Sequence, residues 1–167
     1  LEWALREPEL AGALVLIATT AQHSAQAIAN SSCQRAAIRL DPEYKNGFYD
    51  SDQQPVNGLA LARQLAFITY RSNIEFTVRF NRNSGKHNNF AIQDYLQHQG
   101  QKFTERFDAN SYIRLSQCMN SHDISVGFDS IESALQSIQQ PTLVISLEHD
   151  QLYNYSEQVQ LAEFIPN

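Results

Sequence analysis

Two largely apolar runs constrain this chain more than any other feature: residues 13–19 (ALVLIAT) and 141–147 (PTLVISL). Neighbouring residues are apolar in succession rather than in alternation, which predicts parallel strands covered on both faces. Parallel strands need a crossover between them, usually one helix. Here the runs are separated by residues 20–140, far more than one crossover uses. The intervening stretch reads as helix and loop. The expected architecture is therefore α/β: part of a parallel sheet, with a large all-helical subdomain inserted between two of its strands. The division falls at 1–20 (core), 21–140 (helical insertion) and 141–167 (core). Two strands alone do not make a covered sheet, so flanking strands are expected from outside these residues. Residues 1–6 (LEWALR) agree with that expectation. They read as the later part of a helix, with no capping Ser, Thr, Asp or Asn before them.

Local signals place the helices. Ser24 is expected to cap a helix that Asp41-Pro42 stops. A helix opens at Asn57-Gly58 and runs to Tyr70. Ser72-Asn73-Ile74-Glu75 is a capping box for a short helix to Phe80. Residues 81–89 are polar with one glycine, a mobile loop by composition. Two helical runs, 90–99 and 101–119, are expected to break near Gly100. Asp129-Ser130-Ile131-Glu132 reads as a second capping box, leading a helix to Ile138, and Ser156 as the cap of a last helix towards Ile165.

Composition narrows the function. The net charge is −6 and the Lys and Arg residues are scattered, which argues against nucleic-acid binding. No apolar run approaches the roughly 20 residues that cross a bilayer. Cys33 and Cys118 lie far apart in no metal-binding pattern, and both read as buried, reduced residues. His23, His87, His98, His122 and His149 form no ligand motif, so no metal is expected. There is no G-x-S-x-G, hence no nucleophile elbow within the chain.

Three residues remain as candidates. Asp150 sits just past the second strand, at the edge where open α/β sheets place ligands. A carboxylate there can orient a histidine, or simply cap a turn. Arg63 and Tyr70 are seven apart, about two helical turns, and so share a face. Together they can hold a small zwitterion by its carboxylate, or form an ordinary surface pair.

Four stretches then carry a resemblance: residues 1–8 (LEWALREP), 58–72 (GLALARQLAFITYRS), 95–112 (YLQHQGQKFTERFDANSY) and 141–153 (PTLVISLEHDQLY). In order and spacing they resemble the homoserine O-acetyltransferase family of the α/β-hydrolase fold, in which a helical lid interrupts the sheet. The first resembles the helix after that family's nucleophile elbow, the middle two its lid helices, the last its strand and acid loop. The resemblance implies a Ser–His–Asp triad, acetyl-CoA as co-substrate with no bound cofactor, and L-homoserine as acceptor. By position, Asp150 matches the triad acid. Arg63 matches the arginine that binds the homoserine carboxylate, and Tyr70 the tyrosine beside it. The serine is expected before Leu1 and the histidine after Asn167, so the 167 residues alone are expected to be inactive. Asn154 and Asn120 depart from a common proline and a common aspartate of the family.

The resemblance also implies a cytoplasmic enzyme of methionine biosynthesis and a homodimer formed through the lid. It leaves other readings open: transfer from succinyl-CoA, serine as acceptor, a plain esterase, or a non-catalytic lid remnant that only dimerises.

Overall fold

A computed structural model describes residues 1–50 and 52–166. Along the chain run α1 (Glu2–Arg6), β1 (Leu14–Ile17), α2 (Ala25–Leu40), a kinked 3-10 segment (Pro42–Gly47), α3 (Val56–Thr69) and α4 (Asn73–Arg79). Then come α5 (Ala91–Thr104), α6 (Ala109–Asn120), α7 (Ile131–Gln136), β2 (Thr142–Ile145) and α8 (Tyr155–Phe164). They divide into two compact units. One is Leu1–Ser24 with the described residues from Ser121 onward; the other is Ala25–Asn120. The divisions drawn from the sequence lay at 20/21 and 140/141. The segment with α7 belongs to the first unit because its apolar residues pack there.

In that first unit β1 and β2 pair in parallel, Leu14 opposite Thr142 through Ile17 opposite Ile145. Side chains alternate across a strand. Leu14, Leu16 and Val144 face a core built on Leu135, Ile138 and Leu161, to which α1, α7 and α8 all contribute. Each such fully buried residue contributes roughly 1.5–3 kcal/mol. On the opposite face Val15 (61%), Ile17 (59%) and Leu143 (56%) stay exposed. Among the described residues the sheet is covered on one face, and the apolar side chains of the other face await the flanking elements that the sequence reading expects from outside these residues. The helices α1, α7 and α8 all contribute to the core on the covered side.

The chain leaves and re-enters this unit at one place. Gln22 and Asp123 form an antiparallel bridge. It is flanked by His23 N–H donating to His122 O (2.9 Å) and Ile124 N–H to Ala21 O (3.0 Å). His122 Nε2 also bonds Thr20 O at 3.0 Å. Asp123 Oδ1 accepts from the Ser125 amide and hydroxyl, which hold its carboxyl below the usual value.

The helical unit is organised around α3, packed by α2 on one side and α5 on another. Both contacts need glycine. A Cβ on Gly58 would lie 2.6 Å from Ala37 O, and one on Gly100 2.7 Å from Ala60 O. Gly100 therefore sits inside α5 as a close-approach residue. The expected break there falls instead at residues 105–108. Asp108 makes the turn: its Oδ2 accepts from Ser111 N–H (2.7 Å) and its Oδ1 from Tyr49 Oη (2.6 Å). Burial pushes the Asp108 carboxyl up, but the bonds from Tyr49, Ser111 and Asn110 outweigh it and hold it below the usual range. Burial, then Asp108, pushes the Tyr49 phenol up to about 12. Between α2 and α6 the buried Arg35 donates to Ser31 Oγ (3.1 Å) and Ser116 Oγ (3.2 Å).

Other local expectations change in detail. Ser130 caps α7, but Ser133, not an acidic residue, closes the box. Asn154, not Ser156, caps α8, its side chain accepting from Glu157 N–H at 3.1 Å. Cys33 and Cys118 are exposed rather than buried, because α2 and α6 turn those positions outward. The 81–89 loop is tied down: Asp94 accepts from the Lys86 amide and from Asn89 Nδ2, and Ser84 bridges Phe90.

Candidate active site

The three candidates fall in two places. Asp150 lies in the first unit, on the loop between β2 and α8. Arg63 and Tyr70 lie in the second, on and just after α3.

Asp150 is half-buried. Its Oδ1 accepts from the amides of Leu152 (2.8 Å) and Tyr153 (2.9 Å). Its own N–H donates to Leu147 O at 3.2 Å. It does cap a turn, as the plainer alternative holds. Only one oxygen is spent on it; Oδ2 accepts no hydrogen bond among the described residues. The loop thus presents one uncommitted carboxylate oxygen in a fixed direction. His149 is exposed.

Arg63 and Tyr70 are brought together. Arg63 Nη1 donates to Tyr70 Oη at 3.2 Å. The guanidinium carbon stands 4.6 Å from the ring centres of both Phe67 and Phe103, and 5.1 Å from that of Tyr70. Phe67 follows Arg63 by one helical turn, so the sequence held that signal. Phe103 comes from α5, and nothing local in the sequence announced it. Tyr112 stands edge-on to Phe103 at 5.8 Å and donates to Gln34 Oε1 at 2.8 Å. Burial pushes the Tyr112 phenol up to about 12, Tyr70 adds to this, and Arg63 partly offsets it.

Among the described residues Arg63 has no carboxylate partner. A guanidinium flanked by aromatic faces, with most of its five N–H groups uncommitted, is a receptor for a small carboxylate. The aromatic faces contribute about 0.5–2 kcal/mol to holding the cation. No cluster of three or more His, Cys, Asp or Glu suited to a metal ion occurs among the described residues. Among the described residues no helix is long and apolar enough to cross a membrane.

Comparison with known proteins gives a match to the alpha/beta hydrolase fold family over residues 1–167. The chain belongs to the α/β-hydrolase fold family. It is 51% identical over its whole length to a homoserine O-acetyltransferase of Trichormus variabilis, covering 46% of that protein. The crystal structure of a homoserine O-acetyltransferase from Bacillus anthracis superposes with a TM-score of 0.87 at 24% identity, over 98% of this chain and 46% of the other. An acetylester hydrolase from Corynebacterium glutamicum superposes at 0.79 with 20% identity, over 99% and 47%. Both likenesses speak to the fold alone. The chain spans about half the length of the curated relatives it matches. Asp150 occupies the loop after β2, at the sheet edge where open α/β folds place ligands.

Proposed function

We propose that this chain is the acid-bearing and acceptor-binding part of a homoserine O-acetyltransferase. The observation that carries the reading is its 51% identity, over the whole of this chain, to the Trichormus variabilis protein of that name. In this reading the serine and histidine of the triad come from the half of the relatives' length that these residues do not span. The serine Oγ attacks the thioester carbonyl of acetyl-CoA, the histidine takes its proton, and CoA leaves as the thiol. The homoserine hydroxyl then attacks the acyl-serine, giving its proton to the histidine and regenerating the serine. Asp150 Oδ2 accepts from histidine Nδ1–H, fixing the tautomer and stabilising the imidazolium. Arg63 forks onto the homoserine carboxylate, with Tyr70 beside it. Supporting this, Arg63 has no acidic partner among the described residues and its fork is left largely free.

The reading carries with it a place in methionine biosynthesis, a cytoplasmic location and a homodimer formed through the helical unit. The test is an acylation assay on the complete protein, with acetyl-CoA and succinyl-CoA as donors and homoserine and serine as acceptors. Acetyl transfer to homoserine is the expected result. Acylation of neither acceptor overturns the reading. The 167 residues alone are expected to transfer nothing.

A further inference from the structure

Gln158 lies one turn into α8 and is 1% exposed. A helical Cβ tilts towards the N-terminus, so a residue at this position reaches back over the loop before the helix. That loop is 147–153, with Asp150 at its centre. Gln158 Oε1 accepts from Leu147 N–H at 2.8 Å. Its Nε2 donates to Tyr153 O at 2.6 Å and to Leu147 O at 3.4 Å. One buried amide therefore joins both stems of the loop. The same two residues also bond Asp150 directly: Leu147 O accepts its N–H, and Tyr153 N–H donates to its Oδ1. Rotation of the Asp150 carboxylate would break bonds that Gln158 holds in register.

We propose that Gln158 is the positioning residue for Asp150, setting the direction of its uncommitted Oδ2 without touching substrate. The inference rests on the reading of Asp150 as the triad acid. The pattern needs an amide. The three backbone groups demand one acceptor and two donated protons at one point, which a primary amide supplies and a carboxylate does not. An unmatched buried group there would drive the loop to rearrange.

The experiment uses the complete enzyme with Gln158→Leu, Gln158→Glu and, as control, Asp150→Asn. For Gln158→Leu, kcat is expected to fall about 10- to 100-fold through misplacement of the acid, with the acceptor KM within about twofold. For Gln158→Glu, the introduced carboxyl can donate to Tyr153 O only when protonated. The ratio of its kcat to the parent's should be highest at low pH and fall as pH rises, a dependence that a purely structural role would not produce. If Gln158→Leu does not fold, the Gln158→Glu ratio decides. Parental kcat in the Leu variant, or a ratio flat with pH, overturns the proposal. If Asp150→Asn keeps full turnover, the triad reading itself falls, and the Gln158 inference with it. If Asp150→Asn is inactive while both Gln158 variants match the parent, only the Gln158 inference falls.

Discussion

The acid loop and the Arg63 cage hold charged groups by opposite means. Asp150 is fixed by hydrogen bonds: two amides occupy one oxygen, and Gln158 ties the loop stems behind it. Arg63 is fixed by ring faces from Phe67, Tyr70 and Phe103, with one hydrogen bond to Tyr70. Hydrogen bonds are directional, so the first arrangement dictates where a single lone pair points. Aromatic faces attract a cation without consuming its donors, so the second leaves the fork available to an incoming anion. In the proposed reading the two devices suit two tasks: aiming a carboxylate at the triad histidine, and keeping a guanidinium open for the acceptor.

The contrast is testable in the complete enzyme. The largest effect should come from Asp150→Asn, which keeps the shape but presents the wrong group to the histidine; kcat is expected to fall about 10,000-fold. The acceptor KM should stay near the parental value, and a large KM change would mean that Asp150 serves binding instead. Next, Arg63→Ala should raise the homoserine KM roughly 100-fold, the scale of losing a charge-assisted pair. Hydrolysis of a simple ester by the same variant should be spared. An unchanged KM would remove the acceptor role. Phe103→Leu keeps the arginine but removes one ring, so KM should rise only a few-fold, in line with about 1 kcal/mol.

Two stability measurements separate the units further. Gly100→Ala drives a methyl into Ala60 O; it should destabilise the helical unit by about 1–3 kcal/mol in denaturant unfolding. The pH dependence has no effect near neutrality. Tyr49 and Tyr112 stand near 12 in the folded helical unit, against about 10 in an unfolded chain. Their stabilisation is complete below pH 10 and is lost as pH rises towards 12. Asp108 has the opposite sign: its carboxyl is held low, so its contribution is present above about pH 4 and is lost as acid protonates it. Tyr49→Phe and Tyr112→Phe should flatten the alkaline limb, as followed by near-ultraviolet circular dichroism across a pH titration.

Much of this was legible in the sequence because it depends on local pattern. The two apolar runs announced β1 and β2, and Arg63 and Tyr70 share a face through helical spacing alone. What escaped depends on partners distant in sequence. Gly100 looked like a helix breaker, yet the nearby backbone of Ala60 makes it a contact residue within α5. Phe103 could not be assigned to Arg63 before α5 was seen against α3. Nor could Gln158 be told from any other helical glutamine until its amide was found against Leu147 and Tyr153. Asn154 and Ser156 both suit a helix cap, and residue type alone did not choose between them.

The bridge of Gln22 with Asp123 means that everything from Ala25 to Asn120 departs from and returns to a single doorway. Closing a chain at a point that is already shut adds little entropy whatever the length of the excursion, since that cost grows only logarithmically. Residues 25–120 are in that sense a cassette. A short turn between Gln22 and Asp123 would leave the parallel strand pair undisturbed, and a different set of helices could be threaded through the same doorway without redesigning its sheet.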